Sequence, residues 1–204
     1  MSNRTDFLTR LEQYGKENNI PIIPPETAAF LATLVQQEAP RSVLEIGTAI
    51  GYSTLLIAMN MHPEGQITTI EIDESRRLEA SQFLAEAGYK KQVTLLPGDA
   101  GLILKTLPGC FDFVFIDAAK GQYPAYLRQI MPKLTDGAVV VADNVLFRGY
   151  VAEPASTPRR LKTIVKRLTE YLQMVTHDPC FDTKVHEIGD GLAVTRFTRE
   201  KSHE

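Results

Sequence analysis

Between residues 43 and 61 the chain runs from Val43-Leu44-Glu45-Ile46 through Gly47-Thr48-Ala49-Ile50-Gly51 into the stretch Ser53–Met61, STLLIAMNM. The first four residues suit a buried parallel strand and the last nine a helix packed back on it. The five residues between must therefore make a sharp strand-to-helix turn, and its two glycines permit both the bend and the close approach of a ligand. In open α/β sheets ligands sit at the carboxyl ends of the strands, beside such turns. The turn thus predicts both a parallel sheet and a bound cofactor.

The flanking sequence repeats this alternation. Strands are predicted at Ile67–Ile72, Val93–Leu96, Phe111–Ile116 and Ala138–Ala142. The intervening helices are predicted at Glu74–Ala87, Ala100–Leu107 and Tyr123–Leu134, and a charged amphipathic helix at Pro158–Leu172. Thr183–Ile188 and Leu192–Phe197 flank Gly189-Asp190-Gly191, a hairpin signal. Seven strands follow, in a mostly parallel Rossmann-like sheet with helices on both faces and an antiparallel C-terminal hairpin. Two helices precede them. Thr5–Asn18 has apolar residues at helical spacing and reads as an appendage; Ile20–Pro25 is held extended by its prolines, and Glu26–Gln37 is the second helix. Residues 1–38 are expected to form a helical cap within a single domain spanning 1–204, and the two helices offer a face for a homodimer.

The formal net charge of -3 leaves no global field for nucleic acid or an anionic membrane, so any polyanion must find a local patch. No segment resembles a signal core or reaches the roughly 20 apolar residues of a membrane span, so a cytoplasmic protein is expected. Cys110 and Cys180 lack metal-ligand spacing and read as reduced packing residues.

Three strand ends define a cofactor. A dinucleotide fold asks for Gly-x-Gly-x-x-Gly, but Ala49 and Tyr52 stand where the second and third glycines belong, which argues against a dehydrogenase. Glu71 closes the second strand, where a carboxylate accepts from both hydroxyls of a ribose. Asp99 and Ala100 follow the third, where a carboxylate and a backbone N–H match an adenine edge. An adenosine cofactor without pyrophosphate satisfies all three. Two later strands end in Asp117 and in Asp143-Asn144. Neighbouring strands lie about 4.8 Å apart, so these oxygens can share one hard cation, magnesium first, then manganese or calcium. Each aspartate alone reads as a helix cap; the pair favours metal. Lys120, three residues past Asp117, is one turn along if a helix begins there, and is either a surface lysine or a group able to take a proton.

Glu45-Ile-Gly-Thr-Ala-Ile-Gly-Tyr-Ser53 resembles the first motif of the class I, metal-dependent O-methyltransferases that use S-adenosylmethionine, the family of catechol and caffeoyl-coenzyme A O-methyltransferases. The resemblance extends from about Ile20 to the C-terminus. It implies cofactor contacts from Ile23, Glu45, Gly47, Ser53, Glu71, Asp99, Ala100 and Asp117. It also implies metal ligation by Asp117, Asp143 and Asn144, and catalysis by Lys120 with Asp117. Within the family, Ile116–Tyr123, Asp143–Gly149 with Val151–Glu153, and Gly189–Ala193 are similar to bacterial enzymes that methylate 5-hydroxyuridine at the tRNA wobble position. That reading makes tRNA the partner, met by a basic stripe of Arg148, Arg159, Arg160, Lys162, Lys166 and Arg167. The slightly acidic bulk charge favours a small catechol or phenylpropanoid instead. A non-catalytic adenosine-binding scaffold would need none of Asp117, Lys120, Asp143 and Asn144.

Overall fold

The turn at residues 47–51 joins a strand to a helix in the computed structural model, which describes residues 2–199. The chain divides into two units, Met1–Ala100 and Gly101–Glu204.

The first unit contains α1 (Ser2–Glu17), α2 (Pro25–Glu38), β1 (Ser42–Ile46), α3 (Tyr52–Asn60), β2 (Gln66–Glu71), α4 (Glu74–Glu86) and β3 (Val93–Pro97). Its strands run parallel in the order β3-β2-β1, with Val43 opposite Ile67 and Ile67 opposite Val93. Residues 52–58 of α3 are buried throughout, so this helix is core rather than amphipathic surface. Asp73 caps α4 by accepting from the Arg76 N–H at 3.0 Å. α1 is more than the appendage its sequence suggested. Leu11 is fully buried, Tyr14 meets Phe83 edge-on at 5.2 Å, and Glu12 accepts from the Tyr52 hydroxyl at 2.5 Å. These partners lie 40 or more positions away, which local periodicity cannot show.

α5 (Ala100–Thr106) leads into the second unit, which contains β4 (Phe111–Ile116), α6 (Tyr123–Ile130), β5 (Leu134–Ala142), α7 (Lys162–His177), β6 (Phe181–His186) and β7 (Leu192–Phe197). Its strands run β4-β5-β7-β6; β5 is parallel to β4 and antiparallel to β7, and β6 and β7 form the expected antiparallel pair. Several boundaries differ from the sequence reading, among them the end of α7, which runs to His177 rather than Leu172. α6 stops at Ile130 and Leu134 opens a strand, because Pro132 lacks an N–H and permits only a 3₁₀ turn over Met131–Lys133. α7 begins at Lys162, so Arg159 and Arg160 lie in a preceding 3₁₀ turn.

Among the described residues no helix is long and apolar enough to cross a membrane. Cys110 and Cys180 form no disulfide; Cys110 is exposed, which corrects its reading as a packing residue.

Candidate active site

In the first unit, the turn after β1 is organised by two carboxylates. Gly47 has φ +101° and donates to the Ile70 carbonyl at 3.0 Å, and Gly51 has φ +85°. Ala49 also lies in the left-handed region, at φ +46°, which costs an L-residue about 1–2 kcal/mol. Its N–H donates to Glu71 Oε2 at 2.8 Å, while Glu71 Oε1 accepts from the Asp73 N–H at 2.8 Å. Each Glu71 oxygen thus spends one of about two acceptor positions on backbone, leaving one each for a ligand. Glu45, fully buried, accepts from the hydroxyls of Ser53 at 2.6 Å, Thr69 at 2.5 Å and Thr54. It ties β1 to β2 and to the first turn of α3. Ser53 is buried, and its hydroxyl points at Glu45. Asp99 is exposed and Ala100 buried, at the end of β3. Ile23 is buried and lines a cavity of about 260 Å³ with Glu12, Lys16 and the proline-rich segment. Sequence reasoning passed over Ile72. It is 70% exposed, directly after Glu71, and offers an apolar face at the strand end; its signal was an aliphatic residue placed where the strand should turn polar.

In the second unit, β4 and β5 deliver Asp117 and Asp143 to the same end of the sheet. Asp143 N–H donates to the Ile116 carbonyl at 3.0 Å, and the Tyr123 hydroxyl donates to the carbonyls of Asp143 at 3.0 Å and Ile116 at 3.3 Å. Tyr123, fully buried, is a clamp on both strand ends that the sequence did not single out. Burial, then the charges of Asp117 and Asp143, raise its pKa, so it stays a donor. Burial also raises Asp117, with Lys120 opposing. Asp143 is pushed up to about 7, first by burial and then by the Asp117 carboxylate; the Asn144 N–H, at 2.7 Å, pulls it back. A buried carboxylate whose ionisation a second carboxylate opposes marks a site short of positive charge.

Lys120 approaches Asp117 Oδ1 at 3.9 Å. It opens a 3₁₀ turn over Lys120–Gln122, so no helix begins at Asp117 as the spacing argument supposed. Asn144 sits at φ +56°, a conformation asparagine tolerates, directly beside Asp143. Among the described residues no group of three or more His, Cys, Asp or Glu side chains is placed to hold a metal. What the strands present is two carboxylates and an amide, a hard-oxygen set able to hold magnesium, manganese or calcium.

The loop after Asn144 is fastened to the β6–β7 hairpin. Val145 N–H donates to the Gly191 carbonyl and Leu146 N–H to that of Asp190, each at 3.0 Å, and the Arg148 N–H donates to the Asp190 carboxylate. Gly191 has φ +89°, and a Cβ there would lie 2.3 Å from Leu146 Cγ. Gly191→Ala is therefore expected to lower the unfolding free energy by about 2 kcal/mol, combining left-handed strain with overpacking. Denaturant titration checks this, and an unchanged midpoint would refute the pinning role.

These geometries meet known proteins in both sequence and fold. A family model described as O-methyltransferase matches residues 2–198. The caffeoyl-CoA O-methyltransferase of Populus kitakamiensis is 27% identical, over 91% of this chain and 81% of its own length. The catechol O-methyltransferase of Niastella koreensis is 34% identical, over 66% of this chain and 63% of its own. The crystal structure of the O-methyltransferase TomG from Streptomyces achromogenes, in complex with SAM, aligns with a TM-score of 0.84 at 29% identity, covering 95% of this chain and 90% of that one. The chain belongs to the O-methyltransferase family, the class I S-adenosylmethionine-dependent enzymes of catechol and caffeoyl-CoA type.

Proposed function

We propose that this enzyme transfers the methyl group of S-adenosylmethionine to a ring hydroxyl that has a second oxygen beside it, with Asp117, Asp143 and Asn144 holding a divalent cation. The observation that carries this reading is the paired strand-end carboxylates, each raised by burial and Asp143 also by its neighbour. Such a cation, held by Asp117, Asp143 and Asn144, would supply Lewis acidity that makes an acceptor hydroxyl easier to deprotonate, and a neighbouring ring oxygen would suit the acceptor to it. Lys120, beside Asp117, takes the hydroxyl proton or faces the developing oxyanion.

For the cofactor, the open acceptor positions of Glu71 suit two ribose hydroxyls. Gly47 lets the methionine portion approach the backbone, Ile72 offers a face to adenine, and Asp99 with Ala100 meets its edge. A TomG structure holding SAM supports the assignment. Glu71→Ala is expected to weaken S-adenosylmethionine binding by about 1.5–3 kcal/mol, since charge-assisted hydrogen bonds are lost and the Ala49 turn is released. Calorimetry giving wild-type affinity would sink the ribose assignment.

Two acceptors have this chemistry. The relatives named for catechol and caffeoyl-CoA support a free phenol. A second reading, 5-hydroxyuridine at the tRNA wobble position, is favoured by this chain's own surface. Arg148, Arg159, Arg160, Lys162 and Lys166 are all exposed, and among the described residues none of their side chains is in an ion pair. Arg167, the sixth of the basic stripe, is instead paired with Glu170 at 2.7 Å. Purified protein supplied separately with a catechol and with tRNA carrying 5-hydroxyuridine decides between them. Preferred transfer to tRNA, with affinity falling by about 0.7–0.9 log units per phosphate contact for each tenfold rise in salt, supports the second reading. Preferred transfer to catechol supports the first. Transfer to neither refutes the chelating acceptor.

A further inference from the structure

The helix that leaves the turn at residues 47–51 starts without a cap. α3 begins at Tyr52, and Gly51 before it, at φ +85°, brings no side chain to bond the free N–H groups. The first three residues of α3 are instead tied down by their own hydroxyls. Ser53 and Thr54 donate to Glu45 on β1, and Tyr52 donates to Glu12 on α1 at 2.5 Å. With Glu71 of β2 holding Ala49, three carboxylates from three elements fix residues 49–54. Glu45 and Glu71 sit on paired strands, whose ladders hold them with or without a ligand. Glu12 is carried by a helix outside the sheet.

Tyr52 is 3% exposed, so a hydroxyl that lost Glu12 would keep the cost of desolvation with little water to replace the bond. Burial, then the hydrogen bond to Glu12, raises its pKa, and it remains the donor. α1 is anchored on its other side by α4. Phe7 and Tyr14 meet Phe83 edge-on at 6.5 and 5.2 Å, and Arg10 lies 4.7 Å from the Phe7 ring centroid and pairs with Glu86. The end of α1 also sets the segment that carries Ile23. The Ile20 N–H donates to the Gly15 carbonyl at 2.9 Å, a Cβ on Gly15 would lie 3.3 Å from Ile22 Cδ1, and Glu12 and Ile23 line one cavity. A shift of α1 therefore disturbs both the turn and the segment that the family resemblance places over the methionine portion.

We propose that Glu12 is a positioning residue for cofactor binding, and that through the Tyr52 hydroxyl it couples the docking of α1 to the binding of S-adenosylmethionine at residues 47–53. This role deepens the cofactor reading above and rests on it. Coupling between two sites is reciprocal, so a docked α1 that strengthens cofactor binding is itself held more tightly once the cofactor is bound.

Calorimetric titration of the full chain with S-adenosylmethionine tests the coupling. Glu12→Ala and Tyr52→Phe are each expected to raise Kd about five- to tenfold, at the lower end of the usual range for coupled sites. The double variant is expected to be no weaker than the weaker single one, because both changes remove the same bond. Glu12→Gln keeps an acceptor for the phenol and is expected within about threefold of wild type. A contact that served only the fold would lower the melting temperature of the ligand-free variants and leave Kd unchanged. Hydrogen exchange reads the coupling without any substitution: the amides of residues 8–16 are expected to exchange more slowly once S-adenosylmethionine is added, and Tyr52→Phe to lose most of that protection. Wild-type Kd in both single variants, losses that add in the double variant, or exchange in α1 indifferent to the cofactor overturns the proposal. If Glu71→Ala weakens binding and the Glu12 variants do not, the role of Glu12 alone falls; if Glu71→Ala also binds as wild type, the cofactor turn falls with it.

Discussion

Replacing Asp143 with alanine is expected to lower kcat by about 10²–10³-fold or more, while S-adenosylmethionine affinity stays close to wild type. The size follows from where the residue sits. Asp143 is 1% exposed, its backbone is fixed by Ile116 and Tyr123, and its carboxylate faces that of Asp117 closely enough to raise its own pKa. On the proposed reading, removing it would take away half the anionic charge offered to a cation, and the substrate oxygen would lose both its activation and its direction. The proposed cofactor contacts lie instead on the first unit's turn, which Asp143 does not build. Asp143→Asn keeps the shape, so an equal loss of turnover in that variant would assign the effect to charge rather than to packing. A kcat within about threefold of wild type in both variants would remove Asp143 from the chemistry.

The second large effect is expected at Lys120. As a general base it supplies about 10²–10⁴-fold, and Lys120→Ala should lose that factor in kcat with little change in KM. Lys120→Arg separates two roles. Arginine keeps the positive charge beside Asp117 but does not give up its proton, so a base role predicts that arginine is as poor as alanine, and an electrostatic role predicts partial rescue. Loss confined to KM would instead make Lys120 a binding residue.

The parts of this molecule that were legible in sequence are those whose cause is local. An apolar run ending in a carboxylate marks the end of a buried strand, and so Glu71, Asp117 and Asp143 could be placed before any coordinates. The antiparallel ends of β6 and β7 followed from Gly189-Asp190-Gly191 for the same reason. What sequence did not show depends on residues far apart in the chain. Glu71 holds Ala49 across 22 positions, the Tyr123 hydroxyl reaches Asp143 across 20, and Asp190 accepts from Arg148 across 42. Ala49 is instructive. It counted against a glycine-rich dinucleotide turn, yet its backbone adopts the left-handed conformation that glycine would take, held there by a carboxylate supplied by the next strand. The overlong helix read at Tyr123–Leu134 fails for a local reason that was available, Pro132.

The central claim is that methyl transfer to a chelating hydroxyl depends on a cation held by hard oxygens. It is tested most directly by following transfer from labelled S-adenosylmethionine to the better of the two acceptors, first in excess chelator and then after magnesium is restored. Transfer that stops with chelator, returns with magnesium, and does not return in the Asp143→Ala variant is the predicted result; full transfer in excess chelator would contradict it.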